Sequence, residues 1–453
     1  MKQKTDLSAF DSMPVNRAVI KNVIPSITSM LMVLVYNLAD TFFIGLTKDD
    51  IQVAAVSLAT HVFMIYMTFG TLFGIGGTSV ISRAFGAGRD DYAKKVSSFC
   101  VWSSVIVGLV IPMLAIIFMD DLLPVIGASA DTWTPTKEYL SIVLLCGPFM
   151  LVAQCFSNIL RSEGQATKAM MGMLIGNITN VILDPIMILG FGWGIAGAAI
   201  ATVIGCVVGA MYYIIYFMRV KSKLSINIRD FSVRNRVALS VFAIGLPAAL
   251  GPMFMSLSQI IMNRLMAGYD DFAIAAAGVA AKSIMIIYMV SIGFSQGTMP
   301  LLGYCVGAKN WGRYKAILKF SVISSTALCM ALTGLCYITN SSIIGTFLTE
   351  DISFEYGTQF AMILLSTAFM SGAFFSMISA IQAMGASFPA LILNISRQGI
   401  IYIPALFALK ALAGVYGLIW AQPVSDILSL ILAVVLQAFA LKKLRKINLI
   451  PLS

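Results

Sequence analysis

Residues 70–88 read GTLFGIGGTSVISRAFGAG, and residues 291–309 read SIGFSQGTMPLLGYCVGAK. Gly76 answers to Gly297, and Gly86-Ala87 to Gly307-Ala308, at an offset of 221. The same offset carries Lys94 onto Lys315 and Gly164 onto Gly385. Near the end of each half it slips to 220, where Gly194 and Gly197 answer to Gly414 and Gly417. A duplicated set of hydrophobic segments with glycine-marked loops is a common plan for secondary transporters. Enzymes and structural proteins have less need of it.

Composition agrees with that plan. Apolar residues make up 59% of the 453-residue chain and charged residues 11%, against roughly 45–50% and about 25% in soluble domains. Twelve apolar runs are expected to span a bilayer: 17–45, 53–82, 96–119, 139–160, 169–190, 194–218, 238–263, 273–305, 316–340, 358–382, 388–409 and 414–441. Most exceed the ~20 residues that a helix needs to cross. In lipid every backbone group must be satisfied internally, so these runs are read as helices. The ~10-residue alternation of barrel strands is missing. The N-terminus is polar and has no signal-peptide pattern. The expected fold is therefore all-α and polytopic, with two six-helix lobes related by a pseudo-twofold axis along the membrane normal. The lobes are 1–218 and 238–453, joined by a basic cytoplasmic linker, 219–237.

Loop charges orient the chain. Counting every second loop with the two termini collects 24 of the 30 Lys and Arg residues on one side. Lys48, Lys137, Arg264 and Lys410 fall on the other, and Asp49-Asp50, Asp120-Asp121, Asp270-Asp271 and Glu350-Asp351 join them there. The positive-inside rule then puts both termini in the cytoplasm of an inner or plasma membrane. The net charge of +10 is thus a topology signal. Its dispersal over short loops argues against a nucleic-acid partner. The seven cysteines all lie in apolar runs without a CxxC pair, and the single histidine, His61, has no acidic or Cys ligand at helical spacing. No metal centre or cofactor is expected.

Ionisable groups inside spans cost at least ~2.5–3.5 kcal/mol and are functional candidates by default. They are Asp40, Asp184, Asp426, Lys282 and Arg397. Asp40 sits near the outer end of the first span, and Asp184 six residues, about 9 Å, below the outer end of the fifth. Tyr36 lies one turn below Asp40 and Asn180 one turn below Asp184, each on the same face. Thr202 lies at similar depth in the sixth span. One polar pocket would collect all five. A carboxylate that is protonated in a dry pocket and ionised when facing water is a proton carrier. The same oxygens of Asp40, Asp184 and Asn180, with Thr202, suit Na⁺. The plainer alternative is that each Asp caps helix hydrogen bonds, since Pro185 frees carbonyls one turn earlier. In the second half the seventh span has no acid; Asn263 stands near the counterpart of Asp40, with Gln259 one turn before it. Asp426 is expected to pair with Arg397 or Lys282, or to share in substrate binding. The 27 methionines and the many aromatic residues suit a cavity for apolar cations. Pro25 and Pro247 occupy matching places as candidate bending points.

The stretch Tyr36-Asn37-Leu38-Ala39-Asp40-Thr41-Phe42-Phe43-Ile44-Gly45 resembles the first-helix motif of multidrug and toxic compound extrusion (MATE) transporters. Asn180-Val181-Ile182-Leu183-Asp184-Pro185 resembles their fifth-helix motif. The loops Arg83-Ala84-Phe85-Gly86-Ala87-Gly88 and Leu160-Arg161-Ser162-Glu163-Gly164 are similar to family loops. The resemblance covers the whole chain. It implies a twelve-helix exporter that alternates between outward-open and inward-open forms and exchanges H⁺ or Na⁺ for small organic cations. It also implies that Asp40, Asp184, Tyr36, Asn180 and Thr202 match the first-lobe cation site of the DinF-like branch. The NorM-like branch uses a seventh-helix carboxylate, where this chain has Met255 and Gln259. H⁺ ranks ahead of Na⁺ as the coupling ion, and a monomer is expected. The competing reading is a flippase or exporter of lipid-linked or metabolite substrates on the same fold. A membrane enzyme would need a nucleophile–base pair or metal ligands at depth, which the sequence does not offer.

Overall fold

A computed structural model of the chain describes residues 8–47, 50–234, 236–269, 271–348 and 350–446. Lys2, Lys4, Lys48, Asp49 and Asp270 lie outside the described residues, as do the side chains of Asp50, His61, Asp271, Lys443, Arg445 and Lys446. The described chain is helical throughout its apolar runs. In order the long helices are α1 (Val15–Gly45), α2 (Asp50–Gly86), α3 (Asp90–Ile117), α4 (Trp133–Ser162), α5 (Ala166–Pro185), α6 (Gly194–Arg219), α7 (Val237–Met266), α8 (Asp271–Gly307), α9 (Trp311–Ile338), α10 (Asp351–Ala383), α11 (Ser387–Ile395) and α12 (Tyr402–Lys446). Short helices, Met119–Val125 and Asn340–Phe347, follow α3 and α9.

Among the described residues, ten helices are long and apolar enough to cross a membrane. They become eleven when the two parts of α10, Asp351–Ala368 and Met370–Ala383, are taken as one span bent by 44°. Three of the expected runs are less regular than hydropathy implies. α4 starts at Trp133 and tightens to a 3₁₀ turn at Leu144–Cys146, just before Pro148, which cannot donate to the ladder. α5 ends at Pro185 in a π turn, Ile186–Gly190, and α11 ends in another, Ser396–Ile400. The continuous stretch Ser387–Lys442 is 56 residues long. Its backbone leaves the helix at Ala413 and at Gly414, whose φ is +60°. Gly194, with φ +53°, holds the matching place between α5 and α6. Left-handed backbone recurs at the sequence offset elsewhere too, at Gly88 and Lys309 (+68° and +57°) and at Gly164 and Gly385 (+77° and +74°).

The chain divides into two compact units, Thr28–Gly245 and Phe10–Ile27 with Leu246 onward. The boundaries lie inside α1 and α7, not at the linker, so the first turns of each helix belong to the unit of the other half. The repeated glycines account for this. A methyl group on Gly76 would stand 2.5 Å from the Val241 carbonyl oxygen, in the opening turns of α7. One on Gly297 would stand 2.7 Å from Val23 Cα, in the opening turns of α1. Only glycine lets those backbones approach so closely. The first unit's core includes Ala55, Ala59, Tyr66, Leu123, Tyr139 and Leu140. The second unit's core includes Ala276, Ile287, Phe360, Leu365, Leu406 and Leu418.

The linker is an ordered part of the first unit. Ser98 Oγ donates to the Asn227 carbonyl oxygen at 2.7 Å, and Trp102 Nε1 to that of Ile226 at 3.1 Å. Buried Glu163, from the family-like loop, accepts from Ser222 Oγ at 2.7 Å and from the Lys223 backbone N–H.

Candidate functional site

In the first unit α1, α4, α5 and α6 bring one polar cluster together. Its construction depends on how closely α5 and α6 approach. A methyl on Gly205 would lie 2.8 Å from the Gly176 carbonyl oxygen and 3.0 Å from Asn180 Cβ. With no side chain there, Asn180 reaches across to α6. Its Nδ2 donates to Asp184 Oδ1 and to Thr202 Oγ1, each at 3.3 Å. Tyr36 of α1 hydrogen-bonds Thr202 through its side chain and lies beside Asp40. Asp40 and Asp184 are close enough to act on each other electrostatically. All five sequence-predicted residues therefore meet in one place. Asn180, Asp184 and Thr202 are buried and Asp40 is half-buried.

Tyr139 of α4 completes the cluster and was not anticipated from the sequence. It is buried, and Asp40 and Asp184 both act on it electrostatically. Residues at i and i+4 identify partners on one helix, and nothing in that spacing links α4 to α1 or α5.

The cluster has fewer donors than its oxygens could accept. Asp40 Oδ1, Asp184 Oδ2 and Asn180 Oδ1 are buried and have no partner. An unsatisfied buried polar group costs about 1–3 kcal/mol, more when charged. Two carboxylates and neutral oxygens facing inward can take a proton, or can coordinate a small hard cation through oxygen. Among the described residues no group of three His, Cys, Asp or Glu side chains gathers to hold a metal ion.

The second unit holds a different arrangement. Asp426 of α12 pairs with Arg397 Nε at 2.8 Å, and both side chains are buried. Asp426 also accepts from Gln422 Nε2 at 2.8 Å, Thr367 Oγ1 at 3.3 Å and Tyr288 Oη at 3.4 Å. The Arg397 guanidinium rests 4.5 Å from the Tyr288 ring centre and near the rings of Phe374 and Phe375. Between the two expected partners, then, the structure selects Arg397. Lys282 is exposed and sits 5.5 Å from the ring centre of Phe347. Gln259 and Asn263, both exposed on α7, bond to each other at 3.0 Å. Neither joins the Asp426 network.

Comparison with known proteins agrees with both the fold and the duplication. The MatE family profile matches twice, over residues 25–186 and 247–407. The multidrug export protein MepA of Staphylococcus aureus (strain NCTC 8325) is 31% identical over 427 residues, covering 94% of each chain. A solved outward-facing multidrug resistance MATE transporter of the MOP superfamily superimposes with a TM-score of 0.92 at 22% identity, covering 98% of this chain and 100% of that one. A MOP superfamily transporter from Pyrococcus furiosus gives 0.90 at 22% identity, covering 99% of each. This integral, multi-pass membrane protein belongs to the MatE family, the family of MATE transporters.

Proposed function

We propose that the chain is a cation-coupled antiporter that exports organic, mostly cationic molecules by alternating access, with H⁺ as the coupling ion ahead of Na⁺. The observation that carries this reading is the set of buried oxygens without donors on Asp40, Asp184 and Asn180. A proton or Na⁺ entering from outside supplies what those oxygens lack. Its release toward the cytoplasm leaves two carboxylates facing each other, a state that favours rearrangement of the packing around them. Asn180, itself held on Thr202, positions Asp184, and Tyr36 and Tyr139 stand within electrostatic reach of Asp40. The relatives named as multidrug export proteins support organic molecules as the cargo.

The topology in this reading has twelve spans. The stretch Ser387–Lys442 divides at Ala413-Gly414, and α10 is one bent span. Both termini lie in the cytoplasm, as the distribution of basic residues supports. Within the family, the acid-free α7 and the acid pair of α1 and α5 favour the DinF-like branch.

The alternative is an exporter or flippase of metabolite or lipid-linked substrates on the same fold. For the solved Pyrococcus furiosus transporter, reverse polarity of the binding pocket is taken to suggest a different function. The acid pair of the first unit favours cationic cargo here. The test uses purified protein in liposomes loaded with ethidium, under an imposed pH gradient or an imposed Na⁺ gradient. A gradient of one pH unit supplies about 1.4 kcal/mol per proton, enough to concentrate a dye about tenfold in one-for-one exchange. Efflux under the pH gradient alone is the expected result. Efflux driven only by Na⁺ would reassign the ion, and no efflux under either gradient would favour the metabolite or lipid reading.

A further inference from the structure

The segment between α6 and α7 is bound at an unexpected depth. Ser97 Oγ accepts from the Ser225 backbone N–H at 2.9 Å, Ser98 and Trp102 hold the carbonyls of Asn227 and Ile226, and Phe231 stacks on Phe99 at 5.8 Å between ring centres. Ser97, Ser98, Phe99 and Trp102 belong to the first turns of the apolar run that begins at residue 96. Residues 225–231 therefore lie alongside the end of a membrane-spanning helix, at the level where headgroups meet hydrocarbon. Trp102 occupies the depth that tryptophan favours.

What this strap presents outward is both basic and apolar. Residues 219–236 contain six Lys and Arg residues and one acid. The nearby acids are occupied: Asp230 by Ser225 Oγ, Asp90 by Lys223 at 3.1 Å, and Glu163 by Ser222 and the Lys223 backbone. Arg219, Arg229, Arg234 and Arg236 are exposed, and no carboxylate among the described residues forms an ion pair with them. Between them Ile228 is 62% and Val233 58% exposed. Exposed aliphatic side chains alternating with unpaired arginines, pinned at interfacial depth, match a surface that lies against charged lipid.

We propose that residues 219–234, with Arg236, form a docking strap for anionic phospholipid headgroups of the membrane in which the protein sits. Arg219, Arg229, Arg234 and Arg236 engage the phosphates, and Ile228 and Val233 rest at the top of the acyl region. The strap also leads directly into α7, whose opening turns pack in the first unit. Lipid composition thereby bears on how that helix is held.

The test reads binding without transport. Purified full-length protein in detergent is offered equal amounts of phosphatidylglycerol and phosphatidylcholine, and retained lipid is counted by native mass spectrometry. The parent is expected to retain several-fold more phosphatidylglycerol. Each arginine near such a surface is worth about fivefold in affinity, so Arg229→Gln with Arg234→Gln should remove most of the excess. Arg229→Lys with Arg234→Lys should keep it, which separates lost charge from lost folding. Equal retention of both lipids by the parent, or an undiminished excess in the glutamine variant, would overturn the proposal. So would loss of the excess in millimolar inorganic phosphate, which would mark a site for free phosphate. A protein that binds the lipid and exports no dye would sink the antiporter reading and leave the strap standing.

Discussion

Two buried carboxylates in this chain have opposite surroundings. Asp426 accepts from Arg397, Gln422, Thr367 and Tyr288. Asp184 receives one bond, from Asn180, and its Oδ2 receives none. The first is held on every side; the second keeps an oxygen open to a proton or cation, as the proposed function needs. Breaking a buried ion pair on one side costs about 3–5 kcal/mol, whereas replacing both members by apolar residues is often neutral. Asp426→Asn should therefore lower the melting temperature in detergent clearly, and Arg397→Met with Asp426→Leu should recover most of the loss. If the double variant is as unstable as the single one, the pair does more than neutralise buried charge. At the first site, removing the Asn180 amide, which donates to both Asp184 and Thr202, should be felt in transport. A hydrogen bond to a charged group is worth about 1.5–3 kcal/mol, so Asn180→Ala should lower the melting temperature modestly and slow gradient-driven efflux by about 10-fold or more. Asp40, Asp184 and their one-turn neighbours could be read from the sequence because helical spacing fixes which side chains share a face. Tyr139 could not, because its place in the cluster depends on how α4 packs, which no spacing along the chain records.

At the scale of elements, irregular turns set registers that hydropathy does not show. A π turn shifts the register of a helix, and hydropathy does not change when it does so. In α11 the π turn at Ser396–Ile400 releases the carbonyls of Arg397 and Gln398, which Ser425 and Ser258 take up. That is why the sequence left the partner of Asp426 open between Arg397 and Lys282. The crossing of α5 and α6 is the other decisive element. Ala at position 205 would press on the Gly176 backbone carbonyl, and overpacking of this kind costs typically 1–3 kcal/mol. Gly205→Ala should lower both the melting temperature and the efflux rate. Gly334→Ala, in α9 with open space around it, should leave both unchanged or slightly raise stability. Equal tolerance at the two positions would contradict the close crossing as the basis of the site.

At the scale of the molecule, the duplication was legible because glycines mark it. Gly76 and Gly297 fall where two backbones touch, and Gly194 and Gly414 where the chain turns with positive φ. The division into units was not legible. Apolar runs state that α1 and α7 cross a membrane, and they do not state that each begins in one unit and ends in the other. The basic character of the linker was legible, but its attachment was not: Ser97 and Ser98 of α3 bond to its backbone, and Phe231 stacks on Phe99. In the proposed mechanism the first unit's carboxylates are the coupling site, and the second unit's buried charges are a structural pair. The most direct test is ethidium efflux from liposomes under the gradient that drives the parent protein, with Asp40→Asn and Asp184→Asn assayed beside it. Both variants are expected to fold, bind dye and fail to pump it. Efflux at the parental rate from either variant would contradict the mechanism.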